Sequence, residues 1–262
     1  MNTPLILITN DDGFAAAGIQ ALTRAVASLG DIYVVAPDGA RSGAACAITA
    51  TTPVTYRELH QHPDYPANIH LFACSGTPVD CVKLAWDNIL PRTPDLLLSG
   101  INHGDNASIS VHYSGTMGAV FEGCMKEIPS IGLSLYLKRS QRYEDYPVCK
   151  DALAAIALLC QRVIERGLPQ DVCLNINFPV AETFRGWRVC RQARGRWTAE
   201  WASATNPHGL NAYWLTGQFT DLEPEATDTD FAALRAGFAS IVPVTIDMTA
   251  HGALQQINEL TD

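Results

Sequence analysis

The residues best placed to do chemistry are the adjacent carboxylates of Thr9-Asn10-Asp11-Asp12-Gly13, directly after the apolar run Leu5-Ile6-Leu7-Ile8. Two acids side by side at the end of a buried strand repel each other and lose solvation, and a bound cation offsets that cost. Hard oxygen donors suit Mg²⁺ or Mn²⁺, and Mg²⁺ usually keeps waters and shares the phosphate oxygens of a substrate. A divalent ion and a phosphoryl group are therefore the chemistry to look for. Asp-Gly is also ordinary turn chemistry, and an Asx turn or helix cap accounts for the pair equally well.

Three further segments carry compatible groups. Ala36-Pro37-Asp38-Gly39-Ala40-Arg41-Ser42-Gly43 offers a hydroxyl, Ser42, that can ligate a metal, and a guanidinium, Arg41, that can meet an anion; alone it reads as a solvated loop. The run from Asp95 to Ile101 delivers Asn102, whose carboxamide oxygen is an ordinary ligand for a hard metal. Asn106, four positions on, can hold a phosphate or ribose oxygen, although Asn and Gly also form turns. Tyr113-Ser114-Gly115-Thr116-Met117-Gly118 runs into a helical pattern containing Glu122. Free N–H groups and hydroxyls at such a start form an anion site, while N-capping by Ser114 or Thr116 is the simpler explanation. His103 and His112 flank these segments. The other histidines, at 60, 62, 70, 208 and 251, show no zinc spacing.

These groups need a scaffold that brings them together. Residues 4–10, 32–36, 69–73, 95–101, 130–136 and 172–178 read as strands, and 17–29, 78–89, 115–126 and 148–166 carry apolar residues at helical spacing. The first strand is apolar on both faces, as in a parallel sheet covered by helices on each side. The alternation predicts a doubly wound α/β sandwich, in which ligands bind at the carboxyl ends of the strands. All four chemical segments fall at such ends or at the start of the following helix. Past about residue 180 the character changes, with hairpin-like runs near 187–189 and 212–215, a helical pattern at 229–238 and a strand at 241–247. We therefore expect a single domain over 1–262, with a core to about 180 and an extension over 181–262 that packs on it or on a partner subunit.

Composition sets the limits. A 262-residue chain, 47% hydrophobic and 17% charged, has ample material for a core. Its formal net charge of −9 argues against stable binding to nucleic acid or anionic membrane. No apolar run reaches membrane-spanning length and no signal peptide is apparent, so a cytoplasmic location is expected. The eight cysteines form no Cys-x-x-Cys pair and mostly sit in apolar runs, as reduced structural thiols do.

The motifs together closely resemble the SurE family of stationary-phase survival proteins, 5′/3′-nucleotidases. The resemblance rests on Ile8-Thr9-Asn10-Asp11-Asp12-Gly13, Val35-Ala36-Pro37-Asp38 with Arg41-Ser42-Gly43, and Ser75-Gly76-Thr77-Pro78-Val79-Asp80. It continues through Ser99-Gly100-Ile101-Asn102-His103-Gly104-Asp105-Asn106, Tyr113-Ser114-Gly115-Thr116-Met117-Gly118 and Thr227-Asp228-Thr229-Asp230, spanning nearly the whole chain in order. It implies a Rossmann-like domain whose C-terminal elements exchange between subunits, giving homodimers or homotetramers. It implies one divalent ion per subunit, Mg or Mn, on Asp11, Asp12, Ser42 and Asn102, with phosphate contacts from Asn106, Ser114, Gly115 and Thr116. The implied reaction is hydrolysis of nucleoside 5′-monophosphates, and also 3′-monophosphates, with Asp11 and Asp12 catalytic. Departures at Ala17, Ala44-Ala45-Cys46 and Ala107-Ser108-Ile109-Ser110 bear on loop shape and substrate preference and leave all four ligands in place. The rival readings are a Mg-binding receiver-like signalling module, a haloacid-dehalogenase-type phosphatase, and a nucleotide-binding protein without hydrolysis. A receiver needs an aspartate where Asn102 stands, and the haloacid type needs Asp-x-Asp.

Overall fold

The computed structural model describes residues 3–60, 62–137 and 141–261. In chain order the first part runs β1 (Leu5–Thr9), α1 (Ala17–Val26), β2 (Asp31–Pro37), β3 (Tyr56–Glu58), β4 (His70–Cys74), α2 (Pro78–Leu84), β5 (Leu96–His103), α3 (Gly115–Met125), β6 (Ser130–Tyr136), α4 (Lys150–Arg166) and β7 (Val172–Pro179). A π-helical turn, Ala85–Ile89, continues α2, and a 3₁₀ segment, Ser108–Tyr113, precedes α3. The tail adds β8 (Trp187–Val189), β9 (Gly195–Thr198), β10 (Trp201–Thr205), β11 (Asn211–Leu215), β12 (Gln218–Asp221), α5 (Asp230–Arg235), β13 (Ala239–Thr245) and α6 (Leu254–Asn258).

The expected doubly wound, mostly parallel sheet is present. Its nine strands lie in the order β3-β4-β2-β1-β5-β6-β7-β13-β8, and the six from β4 to β7 are all parallel. Side chains alternate across the sheet, so β1 serves both layers. Ile6 and Ile8 pack with Ile19, Leu22 and Val26 of α1 and with Ile156 and Cys160 of α4. Leu7 faces the other way, toward Cys81 and Val82 of α2 and Met117, Ala119 and Val120 of α3. All of these are buried, each large aliphatic one contributing about 1.5–3 kcal/mol.

The six parallel strands follow the 3-2-1-4-5-6 order of a Rossmann sheet, in which the crossover direction reverses between β1 and β5. That reversal opens a crevice at the carboxyl ends of these two strands, the strands that deliver Asp11, Asp12 and Asn102. The tail differs from expectation in one respect. Residues 187–189 form no hairpin; β8 lies parallel to β13, which itself pairs antiparallel with β7. The expected hairpin at 212–215 is real, formed by β10 and β11. No helix among the described residues is long and apolar enough to cross a membrane.

Candidate active site

The turn after β1 explains how two acids are left available. Asn10, fully buried, closes the turn itself: its Oδ1 accepts the Gly13 N–H at 3.1 Å and its Nδ2 donates to the Gly13 carbonyl at 3.0 Å. Gly13 has φ +97°, and a Cβ there would lie 3.2 Å from the Gly39 carbonyl carbon, so glycine is required. The Asx turn is thus made by Asn10, and Asp11 and Asp12 are spared for other work.

Asp11 is buried, and its main chain is held by the Arg41 N–H, which donates to the Asp11 carbonyl at 2.7 Å. One side-chain donor serves its carboxylate, Thr116 Oγ1 at 2.7 Å from Oδ1. Burial, and then the charge of Asp12, push the Asp11 carboxyl up to about 6. Burial also raises Asp12, against the His103 N–H that donates to its Oδ2 at 3.1 Å. Asn102 Nδ2 donates to the Gly104 carbonyl at 2.8 Å, which leaves Oδ1 to act as an acceptor or ligand. A register shift between Ser99 and Asn102 re-aims the end of β5.

Asn106 sits on a buried polar net. Its N–H donates to Asn177 Oδ1 at 2.8 Å, its carbonyl accepts Asn175 Nδ2 at 2.8 Å, and its Nδ2 donates to Ser134 Oγ at 2.7 Å. Ser114 caps α3, its Oγ accepting the Met117 N–H at 2.9 Å while its own hydrogen stays available to donate.

A cavity of about 430 Å³ gathers Asp11, Asp12, Ser42, Asn102, Asn106 and Ser114. Gly115 and Thr116 stand behind it: a Cβ on Gly115 would fall 2.9 Å from the Asp11 Cβ, and the Thr116 hydroxyl is committed to Asp11. Arg41 is turned away, its Nη2 donating to Asp38 at 3.0 Å and to the Ser75 carbonyl at 2.9 Å. His103 lines the cavity, whereas His112 is exposed elsewhere.

Other lining residues escaped the sequence reading. Asp105 joins the wall, its carboxyl raised to about 6 by burial. Trp197, Glu200, Leu215 and Thr216 line the same cavity from the C-terminal part of the chain. Local pattern carries no signal for them. The supporting Asn175 and Asn177 do leave one: two amides at period two in an otherwise apolar strand mark a polar patch on one face.

Four carboxylates thus line the cavity, Asp11, Asp12, Asp105 and Glu200, and no Lys or Arg does among the described residues. Such a cleft repels a phosphate unless a cation is bound first. No cluster of three His, Cys, Asp or Glu suited to a metal occurs among the described residues. A metal here would therefore take two carboxylates and complete its shell with neutral oxygens from Ser42, Asn102, water or substrate, a set that fits Mg²⁺ or Mn²⁺.

Comparison with known proteins agrees with this architecture. The family model described as Survival protein SurE matches residues 6–199. A protein of Phocaeicola vulgatus named 5′-nucleotidase SurE is 46% identical over 254 residues, covering 97% of this chain and 95% of that one. One of Bacteroides thetaiotaomicron with the same name is 46% identical over 255 residues, with the same coverage. The crystal structure of the SurE protein from Aquifex aeolicus superposes with a TM-score of 0.80 at 32% identity, covering 99% of this chain and 100% of that one. Family model, full-length relatives and solved fold agree: the chain belongs to the SurE survival-protein family.

Proposed function

We propose that the chain is a divalent-metal-dependent 5′-nucleotidase that hydrolyses nucleoside 5′-monophosphates, and also 3′-monophosphates, to nucleoside and phosphate. The observation that carries this reading is the cavity at the β1/β5 crevice, where four carboxylates and no Lys or Arg among the described residues stand beside Ser42, Asn102, Asn106 and Ser114, a lining that favours a phosphate bound together with a cation. The names of its full-length relatives support the same activity.

Asp11, Asp12, Ser42 and Asn102 would hold one Mg²⁺ or Mn²⁺ per subunit. Such an ion, when bound, neutralises phosphoryl charge and lowers the pKa of a nearby water. Asn106 offers its second amide hydrogen and Ser114 its hydroxyl hydrogen to the phosphate oxygens, with the first N–H groups of α3 at Gly115 and Thr116 adding dipole stabilisation as charge grows. Asp11 and Asp12 are the only carboxylates of the proposed ligand set, and one of them takes the proton of the attacking water or attacks phosphorus itself.

The exchange of C-terminal elements into homodimers or homotetramers belongs to the same proposal. It is supported by the exposed Trp201, Tyr213 and Trp214 of the β10–β11 hairpin and by Leu254, Ile257 and Leu260 around α6.

The test is phosphate release from nucleoside monophosphates with Mg²⁺ or Mn²⁺, with EDTA, and for Asp12→Asn. We expect EDTA to abolish turnover and Asp12→Asn to lower kcat by about 10²–10⁴-fold, the range for loss of an essential acid–base or charge-stabilising group. Undiminished turnover in either case removes the metal assignment, and no release from any nucleotide removes the function.

A further inference from the structure

The groups assigned above all act on the phosphate and leave the residues that the C-terminal part of the chain adds to the cavity without a role. We propose that the indole of Trp197 is a stacking platform for the substrate's planar heteroaromatic base, so that this part of the lining selects nucleoside monophosphates over phosphomonoesters that carry no ring. The inference rests on the nucleotidase reading and names the part of the substrate which that reading leaves unassigned.

Three observations support it. First, the cavity, at about 430 Å³, lies within the 300–1,000 Å³ typical of sites that enclose a whole small molecule, more than a phosphate group needs. Trp197, Leu215 and Thr216 line it beside Glu200, and the indole and Leu215 offer an apolar surface suited to a flat ring.

Second, the indole is braced. Trp197 is half-buried and meets Phe219 edge to face, with ring centroids 5.7 Å apart at 75°. Phe219 in turn stacks on Phe231 of α5 at 4.7 Å. On another side Gly217, at φ +123°, brings the backbone so close that a Cβ would sit 3.2 Å from Trp197 Cε3. A ring held in this way loses little freedom when a base stacks on it.

Third, the platform is keyed to the segment that carries the phosphate groups. Ser108 Oγ donates to the Ala193 carbonyl at 2.8 Å, and Asp230 accepts the N–H groups of Ser108 at 2.7 Å and Ala193 at 3.0 Å. A Cβ on Gly195, two residues before Trp197, would come within 3.0 Å of Ser108 Oγ. Ser108 lies between Asn106 and Ser114, so the spacing from phosphate site to indole is set by direct hydrogen bonds.

The experiment compares kcat/KM for adenosine 5′-monophosphate with kcat/KM for glycerol 2-phosphate, in the wild type, Trp197→Ala and Trp197→Phe, each with Mn²⁺. Base–aromatic stacking predicts that the ratio falls about 5- to 100-fold in Trp197→Ala, chiefly through KM for the nucleotide, and that Trp197→Phe keeps most of it. Metal-free protein supplies a second readout: adenosine quenches tryptophan emission in the wild type, and that quench is lost in Trp197→Phe. Should the alanine variant fail to fold, Trp197→Leu keeps apolar bulk, removes the π-face and reads the same ratio. A wild type that hydrolyses the nucleotide with a ratio indifferent to these substitutions overturns the platform and leaves the nucleotidase standing. A wild type that releases no phosphate from the nucleotide overturns both.

Discussion

Asp80 and Asp11 are almost equally shielded from solvent, at 7% and 6% exposure, Asp11 just past the end of β1 and Asp80 in the first turn of α2, yet their surroundings push them in opposite directions. Asp80 accepts the N–H and hydroxyl of Thr49 and the N–H of Thr77, completing a capping box at the start of α2. Burial raises its pKa, but the hydrogen bonds from Thr49 and Thr77 outweigh that and leave it below the usual carboxylate value. Asp11 has one side-chain donor and an acidic neighbour, and rises to about 6. Burial alone therefore does not mark a site. The donors around Asp80 make it a structural tie, whereas Asp11 has one side-chain donor and a second acid beside it.

The contrast breaks most visibly in stability. Asp80→Ala strands the part-buried N–H groups of Thr49 and Thr77 and should cost about 1–3 kcal/mol in denaturant unfolding. Asp11→Asn, which keeps an acceptor for Thr116 and removes a repelling charge, should leave the metal-free protein as stable or more so. Equal losses in the two variants would erase the distinction drawn here.

Ligand linkage sharpens it. Saturating Mn²⁺ at a hundred times its Kd should stabilise the wild type by about 2.7 kcal/mol, seen as a rise in Tm. Asp80→Asn should show the same rise and Asp12→Asn none. An unchanged shift in Asp12→Asn would place the ion elsewhere.

The smallest effect is on pH dependence. Asp80, with a depressed pKa, contributes stability above the ordinary carboxylate value that is lost as pH falls through its folded pKa. Asp105, raised from 3.8 to about 6, does the reverse: its native state holds more protons than the unfolded chain in that interval, so stability declines as pH rises through it. Asp105→Asn should flatten that decline by on the order of 1 kcal/mol between about pH 4 and pH 6. Parallel unfolding curves for the variant and the wild type would remove Asp105 from the account.

Much of this was legible in the chain, and for a definite reason. Strands buried between two helical layers must be apolar on both faces, so Leu5-Ile6-Leu7-Ile8 and Leu96-Leu97-Leu98 announced themselves as continuous runs, and β1 and β5 fall where those runs lie. Because ligands in such sheets gather at strand ends, Asp11, Asp12, Asn102 and Asn106 stand out as candidates by residue type and position, and the fold gathers them around one cavity. Where the guanidinium of Arg41 goes was not legible, because its partners, Asp38 and the Ser75 carbonyl, lie on two different strand ends.

The sequence by itself determined the alternation of elements, the polar groups at the strand ends and the family resemblance, since each is written in residue type over a few neighbouring positions. Tertiary structure alone decided that β8 and β13 extend the main sheet, that Asn10 closes the turn, and that Thr116 supports Asp11 across 105 residues of chain. It also brought Trp197 into the lining of the cavity that holds Asp11. Contacts at that separation leave no periodicity behind; they exist only once packing has brought distant segments within hydrogen-bonding reach.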